Sequence, residues 1–132
     1  MKYVVDTHAL LWFISGSSQL SQEARAVLEN AQSHLVLPAI AFAESVWIVR
    51  NSKKSAVSVD SLLECIDRDQ RIEIYPLNKW VVERTVQLST IKEMHDRQIV
   101  ATALTMQFSG DDSALITCDR NITESKLVPI IW

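Results

Sequence analysis

Only two of the 132 residues are glycine, and that scarcity is restrictive. A G-x-x-x-x-G-K-[ST] loop or a G-x-G-x-x-G turn uses glycines to bring backbone close to phosphate. Neither pattern occurs, which disfavours ATP and NAD sites. Cysteine is equally scarce. Cys65 and Cys118 lie far apart and neither belongs to a C-x-x-C pair, so a zinc site or a disulfide framework has little support, and a reducing cytoplasmic setting suits the chain. No apolar run approaches the roughly twenty residues of a bilayer span. The N-terminus, one lysine and a short apolar stretch ending at Asp6, lacks the apolar core and cleavage site of a signal peptide. A cytoplasmic protein without membrane contact is expected. Basic residues are also outnumbered: 13 Lys and Arg against 16 Asp and Glu leave a formal charge of −3. Binding of nucleic acid normally rests on a basic surface, so any such role must import positive charge.

What is present is a set of short apolar runs. Lys2 to Asp6, His34 to Leu37, Arg71 to Tyr75, Ala114 to Thr117 and Val128 to Ile131 are rich in Val, Ile, Leu and Tyr. They are near-continuous and do not alternate, the pattern of strands covered on both faces. With helical segments between them they predict an α/β fold, a mainly parallel five-stranded sheet between two helical layers. Ser21 is placed to cap a helix whose apolar face is Ala24, Val27, Leu28 and Ala31. Pro38 suits the first position of a helix running from Ala39 to about Arg50. Ser55 to Ser61 leads into Leu62, Leu63 and Ile66; Asn78 can cap Lys79 to about Ile91; a last long helix runs from about His95 to Phe108, with Gly110 ending it. No repeat or linker interrupts the pattern, so one domain over residues 1–132 is expected.

Four acids stand out against this frame. Asp6 follows the first strand, and open parallel sheets bind ligands beyond the carboxyl ends of their strands; it is equally placed to cap the helix that begins at Thr7 or His8. Glu44 lies in "PAIAFAESVWIVR", where the residues three and four positions away, Ile40, Ala41, Trp47 and Ile48, are all apolar. A carboxylate in such a stripe needs a cationic partner. Asp96, in "MHDRQIVATAL", sits in a first helical turn where the dipole favours an acid, and Val100 and Ala103 continue its face toward the core. Arg97 points elsewhere and suits a surface ion pair. Asp119, in "ALITCDRNI", follows the fourth strand as Asp6 follows the first, so the two meet if those strands are neighbours; a turn role is its plainer alternative.

If the four converge without a counter-charge, they repel and some take up protons. A hard divalent cation resolves the conflict, and ligands that are oxygen alone suit Mg²⁺ or Mn²⁺ better than zinc. Such an ion would also let an acidic protein hold a phosphodiester and activate water for in-line attack.

The stretches "VVDTHALLW", "PAIAFAES", "HDRQIVATAL" and "LITCDRNI" together resemble the PIN-domain ribonucleases, and more closely their VapC-type toxin branch. They occur in the right order over almost the whole chain, and the family's acidic quartet falls on Asp6, Glu44, Asp96 and Asp119. The resemblance implies a three-layer α/β/α sandwich and Mg²⁺- or Mn²⁺-dependent endonucleolytic cleavage of RNA. It also implies a homodimer restrained by a small antitoxin whose tail occupies the active-site groove. Thr7 and Thr117 match hydroxyl positions that support the acids or the substrate, and Arg97 and Arg120 are further supporting candidates.

The loop "NSKKSAV" from Asn51 to Val57 is short and basic, which suits contact with RNA, but matches no motif. His8, His34 and His95 have no metal-like spacing, although His95 is nearest the acids. The four tryptophans, Trp12, Trp47, Trp80 and Trp132, read as core or interface residues more readily than as base-stacking platforms. Cys118 reads as buried. Two competing functions fit the sequence less well. A phosphatase of the haloacid dehalogenase type would open with Asp-x-Asp, and His8 stands at the third position. A non-catalytic RNA- or protein-binding module of the same fold would have no reason to tolerate four repelling acids.

Overall fold

The apolar runs become strands and the segments between them helices. The computed structural model describes Met1–Trp132. In chain order the elements are β1 (Lys2–Val5), α1 (Thr7–Ser15), α2 (Gln22–Glu29), β2 (His34–Pro38), α3 (Ala39–Asn51), α4 (Val59–Arg68), β3 (Ile72–Tyr75), α5 (Lys79–Thr85), α6 (Met94–Phe108), β4 (Ser113–Ile116), α7 (Arg120–Ser125) and β5 (Ile130–Ile131). The five strands form one sheet in the order β3-β2-β1-β4-β5, every pair parallel, with helices on both faces. Val4 pairs with Val36 on one side and Leu115 on the other, and all three are fully buried. The chain steps outward from β1 to β2 and β3, then returns to lay β4 on the opposite side of β1. That reversal opens a crevice at the carboxyl ends of β1 and β4, where a doubly wound sheet takes its ligand.

Burial follows position in the sheet. β4 is buried throughout, whereas the edge strand β3 exposes Glu73 and Ile74. Helix α6 buries Ile99, Val100, Ala101, Thr102, Ala103, Thr105 and Met106, more than one stripe, because it packs on the sheet and also against α3 and α5. Asp96 opens this most enclosed of the helices, so its carboxyl starts from surroundings that disfavour charge.

The caps follow local sequence. Ser21 accepts from the Ala24 N–H at 3.1 Å and Asn78 from the Val81 N–H at 3.1 Å, as expected, and Ser58 caps α4 through Ser61. Gly16 ends α1 with φ 68°, the left-handed conformation that glycine adopts without a Cβ penalty, and its N–H returns to Phe13. Pro38 is not the first helical residue but the cap itself: at φ −59° and ψ 140° it still belongs to β2, and its ring lets the strand turn directly into α3. Helix α5 stops at Thr85 and not near Ile91. The Thr85 hydroxyl bonds back to the Val82 carbonyl, and Leu88 and Ile91 then bury themselves from short turns closed by i to i+3 hydrogen bonds. The apolar pattern that suggested a longer helix is real; the backbone carrying it is not helical.

Candidate active site

Strand β1 ends one residue before Asp6. The Asp6 N–H still bonds the Ile116 carbonyl at 3.1 Å, so the ladder holds this residue in place while its side chain leaves the sheet. One carboxylate oxygen, Oδ1, accepts the Thr7 N–H at 2.7 Å, capping α1. The other, Oδ2, accepts the hydroxyl of Thr117 at 2.5 Å. Thr117 stands just past β4 as Asp6 stands just past β1, and the pairing of those strands brings the two side chains together across 111 residues of sequence. Thr117 Oγ1 also accepts the Asp119 N–H at 3.0 Å. Asp119 accepts the Ile122 N–H on its Oδ1 at 3.1 Å and so caps α7, where the sequence suggests a turn as the plainer alternative. Asp6 and Asp119 therefore each cap a helix and line the crevice; the two roles coexist on different oxygens or lone pairs.

The network continues on the other side. Thr7 Oγ1 donates to Glu44 Oε1 at 2.5 Å, and His95 Nδ1 lies 3.0 Å from Glu44 Oε2. In place of the cation expected beside Glu44, its partners are a hydroxyl on α1 and a histidine on α6. Its surroundings differ from expectation as well. Ala41 is buried, but Trp47 is 66% exposed, and Ile40, Ala43, Trp47 and Ile48 form with Glu44 and His95 an open groove of about 490 Å³. The apolar stripe of α3 is a groove wall more than a core face.

Asp96 is half-buried beside these groups and carries no hydrogen bond on its carboxylate. Burial first, then the charges of Asp119, Asp6, Glu93 and Glu44, push its carboxyl up to about 7 from the ordinary 3.8. Asp6 is also raised: burial outweighs the stabilising hydrogen bonds from Thr117 and Thr7. Glu93, which sequence reading passed over, caps α6 by accepting the Asp96 N–H at 3.1 Å and adds a fifth acid to the cluster. The signal was available in the spacing, an acid three residues before Asp96 at a helix start. Metal-ligand spacing gives no sign of His95, because its partner Glu44 lies 51 residues away.

Other expectations shift. Arg97 makes no ion pair; its Nε donates to the Ile91 carbonyl and fastens the turn that leads into α6. Cys118 is exposed, not buried as expected; partial desolvation of its thiol against the buried Thr117, together with the nearby Asp6 charge, still pushes its pKa up. Arg120 is exposed on the loop side of α7. Trp47 and Trp80 lie outside the core at 66% and 63% exposure, while Trp12 and Trp132 are half-buried against each other.

A divalent cation suits this donor set by its chemistry. Asp6, Asp96 and Asp119 take part in none of the chain's ion pairs, and the groups that would compensate them are only hydroxyls and amides. Every candidate donor is oxygen. With the side chains as they stand, no three of them form a ready-made chelating group.

The sequence pattern of the PIN domain matches residues 3–126, a span containing all four acids. The chain belongs to the PIN domain family. No curated protein matches it significantly in sequence. Solved structures share the PIN fold over nearly their full length at low identity. VapBC2 from Rickettsia felis bound to a DNA fragment from its promoter aligns with TM-score 0.72 at 19% identity, over 98% of this chain and 97% of that one. A toxin-antitoxin complex from Klebsiella pneumoniae gives 0.70 at 19%, over 99% and 97%. FitAcB from Neisseria gonorrhoeae gives 0.67 at 20%, over 97% and 95%. Within this PIN domain no helix is long and apolar enough to cross a membrane.

Proposed function

We propose that this PIN domain, spanning the whole chain, is a divalent-metal-dependent endoribonuclease that acts as the toxin of a toxin-antitoxin pair in the cytoplasm. The observation that carries the reading is Asp96, a half-buried aspartate whose carboxylate has no hydrogen bond and no lysine or arginine partner and which is crowded by the charges of Asp6, Glu44, Glu93 and Asp119. Such an arrangement disfavours the folded state unless it serves a cation. Asp6, Glu44, Asp96 and Asp119 would hold Mg²⁺ or Mn²⁺. When bound, the ion supplies the positive charge that a chain of net charge −3 lacks toward a phosphodiester and activates water for in-line attack.

The chain's own residues set the stage for that chemistry. Thr117 fixes the Asp6 carboxylate through Oδ2, and Thr7 and His95 hold the two oxygens of Glu44. Asp96 keeps both oxygens uncommitted. A module that only binds RNA or protein has no use for this repulsion. The toxin role and the antitoxin partner are supported by the VapBC and toxin-antitoxin complexes that share the fold; a homodimer is carried over from the family resemblance alone. Purified, folded Asp96→Asn should fail to cut a mixed RNA pool that the parent cuts with Mg²⁺ or Mn²⁺, and a chelator should silence the parent. A variant that cleaves at the parent's rate would remove Asp96 from the site.

A further inference from the structure

A second cavity, of about 470 Å³, opens at the carboxyl edge of the sheet. Its walls include Thr117, Cys118, Arg120, Glu124, Ile130 and Trp132. Thr117 belongs to both places: the residue that lines this cavity is the one whose hydroxyl donates to Asp6. The cavity therefore adjoins the site through Thr117, although none of the four acids lines it. Its size falls in the roughly 300–1,000 Å³ range of small-ligand sites.

Its chemistry is mixed in a particular way. Trp132 supplies an aromatic face and Ile130 an apolar wall. Trp132 lies against Trp12 with ring centroids 5.8 Å apart, and Trp12 against His8 at 5.6 Å, so a row of rings runs from the sheet edge back to the first turn of α1 beside Asp6. Arg120 is exposed and joins none of the chain's ion pairs, even with Glu124 one turn away on α7. A flat ring, an uncommitted guanidinium and a carboxylate acceptor match, in turn, a nucleobase, a phosphate and an exocyclic amine or ribose hydroxyl. The groove beside Trp47 also touches the acids, but its walls hold no lysine or arginine.

Building on the nuclease reading, we propose that the Trp132–Arg120 cavity receives the nucleotide flanking the scissile phosphate of single-stranded RNA, its base on Trp132 and its phosphate on Arg120. In a chain whose acids repel phosphate, this is where cation and aromatic ring stand together next to the candidate active site.

The four tryptophans make the test direct. Indole N–H resonances of the full chain in chelator, with Trp132 assigned by Trp132→Phe, are followed as adenosine or uridine 5′-monophosphate is added, and again with ribose 5-phosphate. Trp132 should shift with the nucleotides and not with the sugar phosphate, while Trp47 and Trp80 stay still. Trp132→Ala should weaken nucleotide binding about tenfold, the loss expected of one base stack, and Trp132→Phe should recover most of it. Arg120→Ala, on an exposed residue that leaves the fold alone, should raise KM for a short oligoribonucleotide more than it lowers kcat. A response at Trp47 in place of Trp132, or an unchanged KM in Arg120→Ala, would overturn the subsite and leave cleavage standing. A parent chain that cuts no RNA while Trp132 still answers to nucleotide would support the subsite and strike the nuclease reading instead.

Discussion

Replacing Asp96 with asparagine should make the metal-free protein more stable at neutral pH, although it removes a group proposed to be essential. The reasoning starts from a carboxyl at about 7 in the folded chain against an ordinary 3.8. A raised carboxyl pKa stabilises the folded state while the group stays protonated. That contribution is complete below about pH 4 and is lost as pH rises toward 7, because the unfolded chain ionises Asp96 freely while the folded chain resists. Three units at about 1.36 kcal/mol each set a ceiling near 4 kcal/mol. Asp96 is only half-buried, so solvent screening reduces this to on the order of 1–2 kcal/mol. Asparagine is neutral at every pH and does not bear this loss.

Melts in chelator from pH 5 to 8 read the difference. The parent should fall in Tm across this range relative to Asp96→Asn, and at pH 7.5 the variant should melt higher by roughly 4–8 °C, since about 1 kcal/mol corresponds to a few degrees in a domain of this size. The raised carboxyl of Asp6 acts in the same direction and remains in both proteins. Saturating Mn²⁺ should reverse the order, because a ligand of the native state alone contributes about 2.7 kcal/mol at a hundred times its dissociation constant, and the variant should respond less. A variant that melts below the parent at pH 7.5 in chelator, with an equal response to Mn²⁺, would refute both the repulsion and the metal assignment.

Three other changes separate the structural from the chemical duties of the site. Thr117→Val keeps shape but removes the hydroxyl that donates to the buried Asp6, and should cost about 1–3 kcal/mol in denaturant unfolding, growing as pH rises and Asp6 must ionise unsatisfied. Asp119→Ala should be about 1 kcal/mol less stable than Asp119→Asn, which keeps the cap of α7 and, in chelator at neutral pH, should be at least as stable as the parent yet still abolish cleavage; equal stabilities for the two variants would deny the cap. Leu115→Ala, in the centre of the sheet, should cost about 2–5 kcal/mol by leaving a cavity, in contrast to Trp47→Ala on the open groove, which should stay within about 0.5 kcal/mol.

The difference between what sequence reading reached and what it missed has a physical origin. The parallel sheet was legible because continuous apolar runs such as Val4-Val5 and Leu35-Val36-Leu37 have one stable placement, covered on both faces. The strand ends were legible too, since Asp6 and Asp119 interrupt those runs, and only the pairing of β1 with β4 was needed to bring them together. Glu44 misled in part: four apolar neighbours fix which face of α3 it occupies but not whether that face meets protein or an open groove. Its link to His95 was out of reach, because an interaction across 51 residues leaves no periodic trace in either helix. Arg97 and Cys118 failed for another reason. Their surroundings are set by the path of a loop, and a backbone carbonyl such as that of Ile91 is invisible in sequence as a hydrogen-bond acceptor. The same distinction bears on the acids themselves. Capping explains why Asp6 and Asp119 are acidic one at a time, but no cap requires Asp96 to keep both oxygens free among Asp6, Glu44, Glu93 and Asp119. The capping roles are each satisfied by a neutral asparagine or serine, so the surplus of acid groups is the part of this site that capping leaves unexplained and that the proposed cation would use.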